Sequence, residues 1–308
     1  MRVTLIHNAK AGSENAPTRK ALVDLLQAGG HDVTYRSSKA KHWSDALAEP
    51  ADVIVVAGGD GTIGKVVGRM RGRPIPLAIL PIGTANNIAV SFGIARLSLE
   101  QQIASWPTAR RRRLDVGLAH GPWGTQHFIE SFGAGLLAWT IPHADASDTL
   151  KQLDHIDAKV SYALKLLTER LQSCAPIALE LSLDGRDLSG EYFLFEALNT
   201  PMIGPNLQLA EHVDPGDGEL DIVLVGADEK RALSHFLYER RLIERRLIDG
   251  ASPPMLRSRR GSHVKMRWNG FDLHIDDEVW PGHRREGDAP ATIDVSIEAV
   301  GVEVLTPF

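Results

Sequence analysis

The sequence predicts a doubly wound α/β domain followed by an antiparallel, sandwich-like β domain. Three observations carry this. Short apolar runs alternate with helical segments through the first hundred residues. The run from Asp52 to Ala57 is continuously apolar after its first residue and ends in glycines, as a strand buried on both faces of a parallel sheet does. Beyond Leu114 the texture changes to short β-type segments separated by turns, with few helices between them. A chain of 308 residues accommodates two domains, at about 100–200 residues each. The first is expected over residues 1–118, with the segment 296–308 returning to it, and the second over 119–295, with helical insertions.

Taken in order, Arg2 to His7 is a β-rich run. Ala16 to Gly29 reads as a helix, because Leu22, Leu25 and Leu26 share a face and Gly29-Gly30 closes it. Val33 to Arg36 is a second strand and Trp43 to Ala48 a short helix. Val53 to Ala57 is the third strand, and Thr62 to Met70 the helix after it. Pro76 to Leu80 is a fourth strand, and Thr84 to Phe92 a helix with Thr84 as its cap. In the second domain, β segments are expected at Gln126 to Ser131, Ile177 to Leu183, Glu191 to Asn199, Leu220 to Val225, His263 to Asn269, Phe271 to Ile275 and Thr292 to Thr306. Helices are expected at Asp154 to Ser173 and Asp228 to Ile248, and Asp184-Gly185 is a hairpin turn.

The composition, 43% hydrophobic and 24% charged, is that of a folded globular protein and excludes disorder or collagen as the main architecture. A single cysteine, Cys174, excludes a disulfide framework and any multi-cysteine zinc site. The histidines are scattered, with no H-x-x-x-H pair around an acid. No apolar run approaches the roughly 18–20 residues of a membrane span, and Val3 to Ile6 is too short for a signal-peptide core. A cytoplasmic protein is therefore expected. Residues 1–120 carry 16 Lys and Arg against 9 Asp and Glu, while the rest of the chain has a net charge of −12. A basic first half suits an anionic ligand. An acidic second half argues against nucleic acid as the partner.

The strongest local signal is Gly58-Gly59-Asp60-Gly61-Thr62, between an apolar strand and a helix. Ligands of open α/β sheets sit at the carboxyl ends of the strands. Glycines there let main-chain N–H groups approach a phosphate, and the start of the helix adds partial positive charge. The loop is neither G-x-G-x-x-G nor Walker A. Asp60 would repel a phosphate unless a divalent cation lies between them, so the loop points to a nucleotide with Mg²⁺. The strand Pro76 to Leu80 runs likewise into Pro81-Ile82-Gly83-Thr84-Ala85-Asn86-Asn87. The first strand runs into Asn8-Ala9-Lys10-Ala11-Gly12. Three such loops at successive strand ends should line one crevice.

These loops resemble those of the diacylglycerol kinase catalytic family, which includes bacterial soluble lipid kinases and the sphingosine and ceramide kinases. The resemblance continues through Leu114-Asp115-Val116-Gly117, through Asp214-Pro215-Gly216-Asp217-Gly218-Glu219-Leu220-Asp221, and ends at Asp276-Asp277-Glu278. The glycine–aspartate loop alone is shared with NAD kinases and, more loosely, phosphofructokinases. The second loop and the late acidic motifs separate the chain from both. The resemblance implies ATP-dependent phosphorylation of a lipid hydroxyl, a Rossmann-like nucleotide domain, a β-sandwich domain and an active site in the cleft between them. It places the nucleotide on Asn8, Gly12, Gly58, Gly59, Asp60, Gly61, Thr62, Gly64, Gly83, Thr84 and Asn86, joined by Ser37 or Ser38 after the second strand.

Five carboxylates between Glu211 and Asp221 repel one another unless a cation or solvent screens them. By local sequence the segment is a solvated turn or a hard-cation site. By resemblance it is a structural Mg²⁺ site with Asp214, Asp217 and the carbonyl of Glu219 as ligands. Asp276-Asp277 reads locally as a hairpin turn. By resemblance Asp276 is the general base of an acidic motif that includes Glu278, and Asp60 and Asp115 hold the catalytic Mg²⁺ with its waters. Three positions depart from the family pattern. Gly64-Lys65 stands for Asn-Glu, Asn87 for Asp, and Asp277 for a Gly, where an Asp would carry a left-handed turn at about 1 kcal/mol.

A lipid kinase without a span works at the inner face of a membrane. Arg110 to Arg113 is a candidate for anionic headgroups. So is the helix Asp228 to Ile248, which mixes Arg240, Arg241, Arg245 and Arg246 with Leu233, Phe236, Leu237, Leu242 and Ile243. Each reads equally as a solvated basic face. The alternative readings of function are a nucleotide- and Mg²⁺-binding regulatory module without turnover, motivated by the three departures, and an NAD kinase-like enzyme.

Overall fold

The computed structural model describes residues 1–12, 16–153, 155–244, 255–280 and 290–307. Met1–Val116 with Ala299–Phe308 make one compact unit and Gly117–Glu298 the other.

In the first unit, β1 (Arg2–His7), β2 (Asp32–Ser37), β3 (Val53–Gly58) and β4 (Leu77–Pro81) form a parallel sheet in the order β2-β1-β3-β4. Leu5 pairs with Val55 and Val55 with Ala78, so the strand ends are level. Every residue of β3 is buried, because helices cover both faces. On one face, Val3, Leu5, Val53, Val55, Ala57, Ala78 and Leu80 meet Leu22 and Leu26 of α1 (Arg19–Ala28). By the period-2 alternation of a strand, Ile54 and Val56 turn the other way. That is the side of α2 (Asp60–Met70), which buries Ile63, Val66, Val67 and Met70. At about 1.5–3 kcal/mol per fully buried aliphatic side chain, this two-sided layer holds the unit together. The short helix expected at Trp43–Ala48 is present as a 3-10 helix.

The fourth helix of the expectation is shorter than its sequence pattern. α3 spans only Asn87–Ser91, and Thr84 does not cap it. Asn86 stands in the N-cap place in a left-handed conformation, with φ of 53°. A further helix, α4 (Leu99–Ser105), was not foreseen, although Ser98 and Gln101 close a capping box at its start. The chain leaves the unit along β5 (Arg110–Gly121).

The second unit is antiparallel. Its strands are β6 (Gly124–Phe128), β7 (Ser131–Gly135), β8 (Ile177–Leu183), β9 (Arg186–Asp187), β10 (Gly190–Leu198), a small β11–β12 pair (Met202–Ile203, Leu207–Gln208), β13 (Leu220–Gly226), β14 (Ser258–Gly261), β15 (His263–Trp268), β16 (Leu273–Ile275), β17 (Glu278–Trp280) and β18 (Ala291–Thr306). β18 carries the chain back into the first unit, where Val304 pairs with Leu77. Within the second unit, β17-β16-β7-β10-β8-β15-β18 are successive neighbours, and β13 pairs with β10 and β14. The Asp184-Gly185 turn joins β8 to β9 with both residues at positive φ, as the sequence requires.

β10 shows how the strands serve two cores. Phe195 and Ala197 enter a cluster with Phe128, Phe132, Leu181, Val264, Met266 and Ile293. Leu194 and Leu198 turn into a second cluster with three helices. These are α5 (Leu136–Ala146), α7 (Ile156–Ser173) and α8 (Lys230–Glu244), with the short α6 (Asp148–Gln152) between the first two. Sequence periodicity missed α5, α6 and β7, and it placed one strand over Gln126 to Ser131 where a connection separates two. The start of the expected helix at Asp154, and its neighbour's end at Arg245, Arg246 and Ile248, lie outside the described residues.

The glycines that bring loops together give a stability prediction. A Cβ on Gly83 would overlap Gly59 Cα and lie 2.8 Å from Asn86 Oδ1. Gly83→Ala should therefore destabilise by about 1–3 kcal/mol. Gly68 lies in α2 with nothing within 4 Å of the added carbon, so Gly68→Ala should stabilise by about 0.5–1 kcal/mol. Urea unfolding of the two variants checks both signs.

Candidate active site

In the first unit the three strand-end loops meet, as the sequence leads one to expect. Asn8 N donates to Ala57 O at 2.9 Å, and Ile82 N donates to Gly58 O at 3.2 Å. Asn8 Nδ2 donates to Thr62 Oγ1 at 3.0 Å, which ties the first loop to the start of α2. Gly12, at φ of 84°, lies so close to Ile82 O that a side chain there would collide with it. Gly59 and Gly83 lie back to back, and only glycines allow this approach. Ser37 ends β2 opposite His7, and its Oγ accepts from Lys39 N at 3.3 Å. Gly61, Gly64 and Thr62 lie on the first turn and a half of α2.

Asp60 has a structural task that the sequence did not reveal. Its Oδ2 accepts from Asn87 N and its Oδ1 from Ile88 N, both at 3.0 Å. These are the first amides of α3, so the carboxylate of one loop caps the helix of another, in place of Thr84. Asn86 completes the turn by pairing its amide with both the N–H and the C=O of Gly83, each at 2.9 Å. Asp115, buried on β5, is ion-paired with the Nε of Arg113. His7, at the end of β1, is buried beside the Tyr35 hydroxyl, and burial lowers its pKa and keeps it neutral.

In the second unit, Asp276 is the first residue of a two-residue turn between β16 and β17, where Ile275 pairs with Glu278. Its carboxylate accepts from three consecutive amides: Ile129 N at 3.1 and 3.2 Å, Glu130 N at 2.8 Å and Ser131 N at 3.2 Å. Its own N–H donates to Ser131 O at 2.9 Å. Segment 129–131 is held from its other side by Asn199, whose N–H donates to Glu130 O at 2.8 Å and whose Nδ2 donates to Ile129 O at 2.9 Å. The sequence assigned no role to Glu130 or Asn199. The residue is partly buried, and desolvation of its carboxyl pushes its pKa up to about 7. The three amides favour the anion and oppose the rise, and the charge of Asp277 adds to it. Glu278 is exposed on the far side of the turn.

One expectation about this turn is corrected. The left-handed residue is Asp276 itself, at φ of 51°, and Asp277 is not among the positive-φ residues. Asp276 keeps that conformation because its N–H and its carboxylate are bonded to segment 129–131 and its carbonyl to the His274 ring. Asp277 thus carries no turn strain that a glycine would relieve.

The acidic loop folds on itself. Asp214 Oδ1 accepts from Gly216 N at 3.1 Å and Asp217 Oδ1 from Glu219 N at 3.0 Å. Arg260 on β14 is paired with Asp217, and with Glu219 at 2.7 Å. Asp221 is buried against Ser258, and desolvation raises its pKa. The donors are all oxygen, which suits a hard cation, but a guanidinium already sits on two of the carboxylates. Among the described residues no group of three or more His, Cys, Asp or Glu side chains is arranged to hold a metal.

Four of the basic residues singled out in the sequence are engaged internally. Arg111 pairs with Glu303 at 2.8 Å, Arg112 lies 5.0 Å over the Phe92 ring, and Arg113 is taken by Asp115. Leu233, Phe236 and Leu237, the apolar face of α8, are buried in the helix-covered core, so they do not form a lipid-facing stripe. Arg240 is buried with them and donates to Asn206 O at 2.6 Å. No helix among the described residues is long and apolar enough to cross a membrane.

Residues 2–119 match the family model described as the diacylglycerol kinase catalytic domain. The chain is 30% identical over 247 residues to a diacylglycerol kinase of Bacillus subtilis, covering 77% of this chain and 76% of that one. It is 26% identical over 217 residues to a diacylglycerol kinase of Mycobacterium tuberculosis, covering 68% and 66%. A crystal structure of a diacylglycerol kinase from Bacillus anthracis superposes with a TM-score of 0.67, over 99% of this chain and 96% of that one, at 18% identity. With a family-model match at its glycine loops and this identity over three quarters of its length, the chain belongs to the diacylglycerol kinase family of lipid-directed phosphotransferases.

Proposed function

We propose that the protein transfers the γ-phosphoryl group of ATP, with Mg²⁺, to the hydroxyl of a lipid such as diacylglycerol. The observation that carries this reading is the meeting of the three strand-end loops, closed by Gly59 against Gly83. Bare main chain at Gly58, Gly59 and Gly61 and the start of an 11-residue helix suit a polyphosphate. Asn8, Gly12, Thr62, Gly64, Gly83, Thr84 and Asn86 frame the nucleotide, with Ser37 at the neighbouring strand end. The lipid acceptor is read from the relatives, which are named diacylglycerol kinases.

Phosphoryl transfer asks the protein for positioning, charge compensation and a group to take the hydroxyl proton. Asp276 takes that proton as the acceptor oxygen bonds to the γ-phosphorus and the bond to ADP breaks. Its carboxylate is pre-oriented by three amides, and its pKa near 7 matches a base that works at neutral pH. Glu278, two residues on, adds negative charge that favours release of the proton to the base. Asp60 and Asp115 would hold Mg²⁺ and its waters. The amides of Asn87 and Ile88 hold the Asp60 carboxylate in a fixed orientation at the strand-end loops. Mg²⁺ would offset the phosphate charge. Asp214, Asp217 and the Glu219 carbonyl would hold a second, structural Mg²⁺, for which Arg260 competes. The protein acts from the cytoplasm as a peripheral enzyme.

Transfer of label from γ-labelled ATP to lipid alcohols in mixed micelles tests the reading. Binding of Mg-ATP without transfer to any of them would instead favour a regulatory module. Because the base acts only as the anion, kcat should rise with pH through about 7 and fall below it. Asp276→Asn should lose about 10²–10⁴-fold while still binding Mg-ATP by calorimetry. Wild-type kcat in this variant would exclude Asp276 as the base.

The structural cation has its own test, since a ligand that binds only the native state raises the melting temperature. Chelator should lower it in the wild type. Arg260→Ala, which leaves Asp217 and Glu219 to the cation, should widen the difference, and Asp217→Ala should abolish it. Identical melting curves with and without chelator would exclude a structural cation at this loop.

A further inference from the structure

Glu196 and His274 are ionisable residues inside the second unit, with side chains 0% and 2% exposed. They lie on the face of the sheet that the helices cover. On β10, Glu196 shares the side of Leu194 and Leu198, and on β16, His274 points opposite to Leu273 and Ile275. The two strands flank β7, and Gly133 of β7 is in register with both residues. A Cβ on Gly133 would overlap the Glu196 carboxylate. The missing side chain opens a channel across one strand, through which Glu196 Oε1 and Oε2 reach His274 Nε2 at 2.9 and 3.1 Å. The other ring nitrogen, Nδ1, lies 3.0 Å from the main-chain oxygen of Asp276.

A carbonyl oxygen only accepts, so Nδ1 carries a hydrogen and donates it. Nε2 and the carboxylate then hold one further proton between them, and the pair is neutral as a whole. Burial opposes the charged ring, but the Glu196 carboxylate outweighs it and raises the His274 pKa. Such a pair is a poor stabiliser of a fold, because apolar residues of similar volume do as well or better. What it touches is the turn of Asp276. That residue is left-handed, a conformation that costs an L-residue about 1 kcal/mol or more, and it persists only where its surroundings fix it.

We infer that Glu196, Gly133 and His274 are a positioning set for Asp276: the imidazole pins the Asp276 carbonyl, Glu196 fixes the imidazole, and Gly133 makes room for both. Its consequence for activity rests on the reading of Asp276 as the base. The bonds to Ser131 O and to the amides of residues 129–131 hold one side of Asp276, and His274 holds the other. Without the ring bond the turn relaxes toward negative φ, and the carboxylate leaves its place. Among the described residues, the other ionisable groups at this turn are Asp277 and Glu278 on the hairpin and Glu130 in the facing segment.

The test is a double variant, Glu196→Leu with His274→Phe, assayed with Mg-ATP and dioleoylglycerol in detergent micelles. It should melt at or above the wild-type temperature, lower kcat by about 10²-fold, the cost of a roughly 1 Å misplacement, and leave the KM for ATP unchanged. The acidic limb of its pH profile should shift. Glu196→Gln, whose amide can donate to Nε2 while Nδ1 still donates to Asp276, should retain at least about ten times the kcat of Glu196→Leu. Wild-type kcat and pH profile in the folded double variant would overturn the inference. Asp276→Asn run alongside separates the two claims. If it is inactive while the double variant is normal, only the positioning set fails; if it is active, the reading of the base fails. Nitrogen NMR of the His274 ring in the wild-type protein needs neither activity nor a variant. Nδ1 should stay protonated throughout the titration of Asp276, and its deprotonation within that range would overturn the inference.

Discussion

Main-chain amides at the ends of strands and helices need acceptors once they leave water, and in this protein two carboxylates meet that need for segments far away in sequence. Asp60 takes the first amides of α3, and Asp276 takes those of residues 129–131. In each unit the loops that matter to chemistry are held by the acid proposed to act there. A carboxylate placed in this way is already oriented before any substrate arrives, and such preorganisation is what electrostatic catalysis depends on. It also means that removing either acid disturbs a loop as well as a charge, so binding and folding must be measured beside rate.

The environment of Asp276 balances opposed effects. Desolvation raises its pKa to about 7, while three hydrogen bonds favour the anion. Without the amides the same burial would keep the acid protonated at neutral pH and useless as a base. With the amides in water-exposed surroundings it would ionise more readily than an ordinary aspartate and hold its proton too weakly. The buried Glu196–His274 pair extends this arrangement one layer inward, through a gap that only a glycine in β7 leaves.

Charge elsewhere is spent within the fold. Arg111, Arg112 and Arg113 of the run on β5 engage Glu303, Phe92 and Asp115, and Arg260 stands on the acidic loop. Exposed pairs such as Arg111–Glu303 contribute little to stability, about 0–1 kcal/mol. They do lower the positive charge free to meet an anionic surface. The apolar face of α8 is covered by its own unit.

The sequence by itself determined the α/β alternation of the first unit, because apolar runs ending in glycine have few other solutions, and it determined that the three glycine loops share one strand end. It also placed Asp276 at a turn after a strand, through the apolar–polar pattern around Ile275. The family resemblance of its motifs named the acids. Only the tertiary structure decided what those acids touch. That Asp60 and not Thr84 caps α3, that Asp276 and not Asp277 is left-handed, and that Arg260 reaches the acidic loop from 41 to 43 residues away are facts of register and loop packing. Local periodicity carries no trace of them. His274 is the clearest case: in sequence it is one polar residue between Leu273 and Ile275, and it gains meaning only where β10, β7 and β16 align Glu196, Gly133 and His274 in one row. Pairing between residues 63 and 141 positions apart sets that row, and it is settled by the packing of the whole sheet rather than by any segment of the chain.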